Sequence, residues 1–210
     1  MIHLVTGDNL HFYHQEMEQA YRLRHKVFVE EMGWEALRRP DGREIDQFDD
    51  GAAVHMLYVE GEDVLGYLRM LPTLRPHLLT EILRQLCDDE PPHGPHVWEW
   101  TRYCVSRSCR DRGRMLSPIS CALQLGMVEW GLENGVSQII IETNPIFLLR
   151  LIQLNFRITP LGIPRQVGRD SVVAVTAAFD QRTLDRLREV RGNDRRVIIP
   201  RPDRVRISRA

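Results

Sequence analysis

Carboxylates and arginines occur in the first half of the chain at positions where ordinary folding does not require them. Asp46 and Asp49 lie in an acidic segment, Arg69 falls inside an apolar run, and Glu99 and Arg102 share another apolar run. A buried guanidinium needs a paired anion, supplied either by the protein or by a substrate. A positioned carboxylate can act as a general base. These residues are therefore candidates for chemistry.

The spacing of Glu99 and Arg102 makes a specific structural demand. The run VWEWTRYCVS, residues 97–106, is rich in aromatic and β-branched residues and predicts a strand. Residues three apart on a regular strand point to opposite faces, so both side chains serve one pocket only if a bulge or a strong local twist intervenes. On these residues alone, a structural salt bridge across a sheet is equally consistent with the pattern.

A second group of candidates combines an arginine with aromatic side chains. Apolar residues at helical spacing predict an amphipathic helix over residues 10–31. Arg24 and Phe28 share one face of this helix, and Trp34 follows at the start of a long acidic loop. Aromatic faces and carboxylates together suit a cationic ligand that carries an aromatic base. The alternative is an ordinary amphipathic helix beside a solvated loop.

The elements that must position these residues alternate between strands and helices. Hydrophobic patterning predicts a strand hairpin over 54–60 and 64–71, a helix over 77–87, the strand 97–106, a helix over 117–133, a strand over 138–143, a helix over 145–155 and a strand over 171–179. That order indicates an α/β fold, a mixed sheet with helices on both faces. We divide the chain into a domain over residues 1–180 and a basic C-terminal helix and tail over 181–210, which holds ten Arg against four Asp or Glu.

Composition narrows the class of protein. A net charge of -1 provides no general attraction to nucleic acid or anionic lipid. No segment approaches the roughly 18 apolar residues of a membrane span, and the N-terminal sequence has no signal-peptide pattern. We therefore expect a cytoplasmic protein that binds neither nucleic acid nor membrane. The four cysteines form no CxxC pair and are expected to be free thiols, and no standard metal-site spacing is present.

Taken together, four motifs resemble the signatures of one family. YRLRHKVFVEEMGW, GREIDQFDD, LGYLRMLPT and VWEWTRYCV are similar, in order and spacing, to those of the acyl-homoserine-lactone synthases, the autoinducer synthases of Gram-negative bacteria. The residues that match the family's functional positions are Arg24, Phe28, Trp34, Asp46, Asp49, Arg69, Glu99 and Arg102. The resemblance implies a fold similar to the GCN5-related N-acetyltransferases, in which a mixed sheet flanked by helices splays into a cleft for a thioester.

The resemblance also implies an activity: acylation of the amine of S-adenosylmethionine, then lactone closure with release of methylthioadenosine, for quorum sensing. Glu99, Arg102 and Arg69 are expected to be catalytic, with Glu99 as the general base acting through a water. The residues expected to bind substrate are Arg24, Phe28, Trp34, Asp46, Asp49, Thr101, Thr143 and Phe147. Thr143 and Phe147 are expected to line the acyl pocket. S-adenosylmethionine and the thioester are substrates, so neither a cofactor nor a metal is implied.

The expected acyl donor is acyl-CoA with a short branched or an aryl chain. Many family members carry several basic residues on the helix after the buried strand, where an acidic acyl carrier protein docks, but NPIFLLRLIQLNFR has only Arg150 and Arg157. The segment CRDRGRM, residues 109–115, resembles an acetyltransferase pyrophosphate loop. Three alternatives stay open: the same reaction with an acyl carrier protein, an acetyltransferase acting on another amine, and a non-catalytic regulator that binds S-adenosylmethionine.

Overall fold

The computed structural model describes residues 1–110 and 116–199. The strands in this part of the chain are β1 Ile2–Val5, β2 Val54–Glu60, β3 Asp63–Pro72, β4 Val97–Val105, β5 Gln138–Thr143, β6 Arg157–Pro160, β7 Arg165–Val167 and β8 Asp170–Ala178. They form one sheet in the order β1-β2-β3-β4-β5-β8-β6, and β7 pairs with β8. Neighbouring strands are antiparallel except β4 and β5, which are parallel.

Helices cover both faces of this sheet, which confirms the predicted α/β class. The α-helices are α1 His14–Arg24, α2 Leu78–Glu81, α3 Pro118–Glu133, α4 Pro145–Gln153 and α5 Gln181–Arg191. α1 and the segment around α2 lie on one face, where they bury strand residues such as Tyr67 and Ile140. α3, α4 and α5 lie on the other face, over the main core. In the described part of the chain, no helix combines the length and apolar character needed to cross a bilayer.

The C-terminal segment packs on the main core as far as it is described. Asp180 caps α5, and Gly192 ends it in the left-handed conformation with φ 78°. Leu184 and Leu187 of α5 join the same hydrophobic cluster as α3. The division of the chain at residue 180 stays a prediction. The basic tail beyond residue 199 and most of the proposed pyrophosphate loop, residues 111–115, lie outside the described residues.

Two predicted helices differ from the observed ones. The α-helix of the first begins at His14 rather than residue 10 and changes at His25 into a π-helical segment, His25–Glu31. The predicted helix 77–87 is wrong: it is the single turn α2 followed by a 3-10 turn, Arg84–Leu86. Leu79 and Leu86 are buried against the sheet whereas Ile82 between them is 53% exposed. The apolar residues therefore do not form one continuous helical stripe.

Three strands have no counterpart in the sequence prediction. They are β1, β6 and β7, which have four, four and three residues. β1 and β6 are the two edges of the sheet. Short edge strands carry little period-2 patterning, and the Pro160 that ends β6 is tolerated because an edge strand need not donate every backbone hydrogen bond.

Strand β4 contains a β-bulge between Glu99 and Cys104. Tyr67 pairs with Cys104 and Arg69 with Thr101, so β4 has one residue more than β3 between these pairs. Arg102, at this bulge, has φ 54°, a value rarely adopted by a residue with a side chain. Of the possibilities that the sequence left open, β4 therefore has a bulge, and it brings the side chain of Arg102 to the α1 face.

The sheet opens between β4 and β5 immediately beside this bulge. The parallel pairing covers only Val97 to Glu99 on β4 and Gln138 to Ile140 on β5. Both strands continue past the last pair, β4 to Val105 and β5 to Thr143. The opening that follows is the splay expected from the family resemblance.

Candidate active site

Three arginines meet three carboxylates on the α1 face of the sheet. The members of this arginine network are Arg24 of α1, Arg69 of β3 and Arg102 of β4, with Glu44, Asp46 and Asp49 of the acidic loop. All six side chains are at most 15% exposed. The formal charges balance, and well-directed hydrogen bonds accompany them, which is the condition for burying guanidinium groups.

Asp49 lies at the centre of the arginine network. Its carboxylate accepts hydrogen bonds from Nη1 and Nη2 of Arg24 at 2.7 and 2.9 Å and from Nη1 of Arg69 at 2.7 Å. Burial alone raises the pKa of this carboxyl group, but the charges of Arg24 and Arg69 outweigh burial and hold the pKa well below its usual value. Asp49 therefore stays ionised.

Asp46 links the network to strand β4. It accepts hydrogen bonds from Nη1 and Nη2 of Arg69 at 2.6 and 2.9 Å and from Nη2 of Arg102 at 2.8 Å. Burial raises the pKa of Asp46. The hydrogen bond and charge of Arg69 and the charge of Arg102 lower it by more, so the net pKa lies below its usual value. Arg69 also donates from Nε to Oγ1 of Thr101 at 3.0 Å.

Glu44 completes the network and was not among the sequence candidates. Its buried carboxylate accepts from Nε of Arg24 at 2.6 Å and from Nε and Nη2 of Arg102 at 3.1 and 3.2 Å. A signal existed, because Glu44 lies in the same acidic run two residues before Asp46. Loop carboxylates are usually solvated, however, and only the fold shows that this one is buried.

The network fixes the acidic loop on the sheet. The donors of Arg69 go to Asp46, Asp49 and Thr101 within the protein. Arg24 also donates from Nη1 to the buried hydroxyl of Tyr67 at 3.2 Å. Catalytic roles for Arg69 and Arg102, and direct contact of Arg24, Asp46, Asp49 and Thr101 with substrate, stay predictions.

An aromatic wall stands beside the network. The rings of Phe28 and Trp34 are stacked, with centroids 5.3 Å apart and planes 12° apart. The guanidinium of Arg102 lies 5.8 Å from the centre of the Phe28 ring. Trp34 also donates from Nε1 to a carboxylate oxygen of Asp170 on β8 at 3.1 Å. Aromatic and acidic groups thus converge, as the sequence predicted, and the π-helical segment that carries Phe28 is a feature common at functional sites.

Glu99 belongs to a separate group of residues. Its fully buried carboxylate accepts from the backbone N–H groups of Leu78 at 2.8 Å and Leu79 at 2.6 Å, in the first turn of α2. Nδ1 of His77 lies 2.9 Å from Oε1 of Glu99, within hydrogen-bond distance of the carboxylate. The hydrogen bonds of Arg102 run instead to Glu44 and Asp46.

A second carboxyl group, that of Glu142, contacts Glu99 from strand β5. Burial raises the pKa of Glu142 well above its usual value, and the negative charge of Glu99 and the hydrogen bond to it raise it further. We call His77, Glu99 and Glu142 the Glu99 cluster. Sequence reasoning missed His77 and Glu142, although an acidic residue directly after Ile141 in the apolar run IIIET was a signal of the same kind as Arg69.

The two residues predicted to line the acyl pocket lie toward the other face of the sheet. Thr143 follows Ile141 by two residues on β5 and therefore lies on the same face as the main-core residues Ile139 and Ile141. The ring centre of Phe147 in α4 lies 6.0 Å from that of Trp100 and 5.9 Å from that of Tyr103. Both residues are half-buried. Their role in acyl binding stays a prediction.

The sheet opens between its two parallel strands, with the buried carboxylate of Glu99 at the opening, as the family resemblance implies. The fold is similar to that of a Lactobacillus plantarum structure assigned to the N-acetyltransferases, with a TM-score of 0.55, 19% identity and coverage of 85% of this chain and 99% of that one. The autoinducer synthase family model matches residues 8–187. The chain therefore belongs to the autoinducer synthase family and is an acyl-homoserine-lactone synthase, as its motifs predicted.

Two relatives are similar over nearly the whole chain. The isovaleryl-homoserine lactone synthase of Bradyrhizobium diazoefficiens is 38% identical over 190 residues, covering 90% of this chain and 84% of that protein. The solved structure of BjaI, a CoA-dependent acyl-homoserine lactone synthase, has a TM-score of 0.88 and 36% identity and covers 95% of this chain and 92% of that one. BjaI has been solved with S-adenosylmethionine and isopentyl-CoA, and also with methylthioadenosine.

Proposed function

We propose that this synthase transfers an acyl group from acyl-CoA to the α-amine of S-adenosylmethionine and then closes the lactone ring with release of methylthioadenosine. The observation that carries this proposal is the buried carboxylate of Glu99 beside the opening between β4 and β5. Three hydrogen bonds hold it in one orientation, from the backbone of Leu78 and Leu79 and from His77. Fixed orientation of the base favours proton transfer.

In the first half-reaction, the amine attacks the thioester carbonyl. The amine proton passes through a water to Glu99 and ends on the departing thiolate, so CoA leaves as the thiol. In the second half-reaction, the carboxylate of the methionine part attacks the γ-carbon of that same part, which is bonded to the sulfonium sulfur. That carbon–sulfur bond breaks, its electron pair stays on sulfur, and methylthioadenosine leaves.

The aromatic wall and the acidic loop are the proposed site for S-adenosylmethionine. The stacked rings of Phe28 and Trp34 offer a face for adenine and for the sulfonium charge. Asp46 is the most exposed carboxylate of the arginine network and is ionised, which suits it to a cationic substrate. We assign Thr143 and Phe147 to the acyl side of the opening.

Acyl-CoA is the proposed donor because α4 lacks the basic surface that an acidic carrier protein would require. Arg150 is the one basic residue within α4, and the exposed side chains Ile146 and Leu149 are apolar. Arg157 lies on β6 and pairs with Asp180 at 2.6 Å. The CoA dependence of BjaI and the isovaleryl product named for the Bradyrhizobium enzyme support a short branched acyl chain, with an aryl chain as the second candidate.

The four free cysteines are consistent with the predicted cytoplasmic location.

Release of methylthioadenosine by the purified protein tests the proposal. S-adenosylmethionine is incubated with matched acyl-CoA and acyl carrier protein thioesters of the same branched, straight and aryl acids, and the products are identified by mass spectrometry. We expect methylthioadenosine and an acyl-homoserine lactone in equal amounts, formed fastest from a branched acyl-CoA. Faster turnover with carrier-protein thioesters would contradict the donor assignment. Acyl transfer without methylthioadenosine would contradict the lactonisation.

A further inference from the structure

Glu142 is a second acid at the opening, half-buried with its Oε1 fully buried, and the proposed mechanism does not use it. Glu99 and Ile140 are the last residues paired between β4 and β5. Glu142 follows Ile140 by two residues and therefore points to the same face of the sheet, the face of Glu99. The carboxyl groups of Glu142 and Glu99 lie in hydrogen-bonding contact across the start of the opening.

Two ionised carboxylates cannot hydrogen-bond to each other, because an ionised carboxylate only accepts. One of the pair must therefore hold a proton. Glu99 is the better anion, because it already accepts from Leu78, Leu79 and His77 at the N-terminus of α2. Oε1 of Glu142 is buried and has no donor among the described residues. Glu142 is therefore the natural holder of the proton.

We propose that Glu142 is a positioning residue for the base: it keeps one proton, donates it in a hydrogen bond to the Glu99 carboxylate, and so leaves the pair with a single negative charge at neutral pH. This inference rests on the proposed function of Glu99. The hydrogen bond adds a fourth donor to Glu99 and orients its remaining acceptor capacity toward the opening.

The groups around Glu142 support this charge state. Burial raises its pKa most, and Glu99 on β4 raises it further, while the charge of Arg102 at the bulge lowers it less. His77, from the segment before α2, faces Glu99 through Nδ1. On the other side, the residue of β8 paired with Glu142 is Ala174, which does not titrate.

The proposal has a consequence for the pH dependence of the reaction. As the pH rises through the raised pKa of Glu142, its proton leaves and the pair becomes a dianion. Glu99 then loses a donor, and the added charge favours the unreactive ammonium form of the substrate amine. We therefore expect kcat/KM to fall on the alkaline side through the ionisation of Glu142.

The variants Glu142→Gln and Glu142→Leu separate the effect of the hydrogen bond that Glu142 donates from the effect of its ionisation. Glutamine keeps an N–H donor toward Glu99 but does not ionise, whereas leucine provides neither. We expect Glu142→Leu to lower kcat/KM for methylthioadenosine release about tenfold at neutral pH. We expect Glu142→Gln to restore most of that loss and to abolish the alkaline fall. The same alkaline fall in Glu142→Gln as in the wild type, or wild-type rates in Glu142→Leu, would overturn the proposal. If the leucine variant does not fold, the glutamine variant decides.

Infrared spectroscopy of the wild-type chain tests the shared proton without any turnover. We expect a protonated-carboxyl C=O band at neutral pH that disappears in Glu142→Gln and titrates at lower pH in Glu99→Gln. Glu129, whose pKa burial also raises, lies on α3 away from the opening, and Glu129→Gln is the matched control that should retain this band component and the wild-type rate. A spectrum unchanged in Glu142→Gln would refute proton sharing. If no donor yields methylthioadenosine, the proposed function fails while this band still decides the proton's location.

Discussion

The arginine network and the Glu99 cluster share one face of the sheet but treat charge in opposite ways. In the network, three guanidinium groups match three carboxylates. In the Glu99 cluster, two carboxyl groups and a histidine meet, and their direct hydrogen-bond partners are backbone N–H groups and each other. The pKa of Asp49 is lowered in the first group and that of Glu142 is raised in the second.

The difference separates structural from chemical roles. An arginine stays protonated at all accessible pH values, so a carboxylate paired with it is held in the ionised state and exchanges no proton. Such a network can fix the acidic loop and shape the substrate site. A carboxyl pair without a matching arginine can change its protonation state within the range where an enzyme works. We therefore propose that the Glu99 cluster transfers the proton and that the arginine network positions the acidic loop.

The largest expected effect is that of Glu99→Gln on turnover. The variant loses the base, and methylthioadenosine release should fall by about a hundredfold or more. Thermal unfolding should show that the protein still folds. Glu81→Gln, an exposed glutamate on the same helix that Glu99 caps, should retain wild-type turnover. Equal turnover in Glu99→Gln and the wild type would remove Glu99 from the mechanism and end the contrast between the two groups.

An effect of comparable size is expected for Asp49→Asn, on stability rather than on turnover. The change leaves the buried guanidinium groups of Arg24 and Arg69 without their shared anion, which should lower the free energy of unfolding by about 3–5 kcal/mol. Denaturant unfolding measures this difference. The control is Asp50→Asn, whose exposed ion pair with Arg75 should contribute only about 0–1 kcal/mol. Similar losses in both variants would show that the network is not the structural centre proposed.

His55, at the edge of the arginine network, should make the stability of the protein depend on pH. It lies 2.7 Å from the Tyr67 hydroxyl, and burial lowers its pKa from 6.5 to about 4. As the pH falls, His55 therefore takes up a proton in the unfolded chain before it does so in the folded chain. The free energy of unfolding is at its full value above pH 6.5 and decreases as the pH falls to about 4. The loss should be roughly 3 kcal/mol.

Unfolding free energies measured across this pH window check the prediction for His55. His55→Gln should remove the slope, whereas His14→Gln, a change at an exposed histidine, should retain it. A slope of unchanged size in His55→Gln would assign the acid sensitivity to other groups.

The smallest expected effect is that of Phe28→Leu on substrate affinity. Loss of the stacked ring should raise the KM for S-adenosylmethionine about two- to tenfold, with little change in kcat. Steady-state kinetics at saturating acyl-CoA measures both constants. Phe12→Leu, at an exposed position, is the control. A lower kcat at unchanged KM would move Phe28 from substrate binding to the chemical step.

The sequence was sufficient for the fold class, the family and most residues of the arginine network. Arginines inside apolar strands imply buried anions, so Arg69 and Arg102 were expected to pair with a carboxylate of the protein or of a substrate, and the structure shows that the acidic loop supplies it. The bulge in β4 stayed open in the sequence, because residues three apart face one pocket only with a bulge or a strong twist, and the register of β3 and β4 decided it. These deductions rest on local periodicity or on the need of a buried charge for a partner of opposite charge.

Tertiary structure alone decided which neutral or acidic residues join the two groups. Glu44 is an ordinary loop glutamate in the sequence, and His77 is the first residue of what reads as a helix of eleven residues. Glu142 meets Glu99 only because β4 and β5 are adjacent and parallel, a pairing between segments about forty residues apart. Local patterns do not encode such contacts, since burial and proximity depend on how distant strands pair and where that pairing stops.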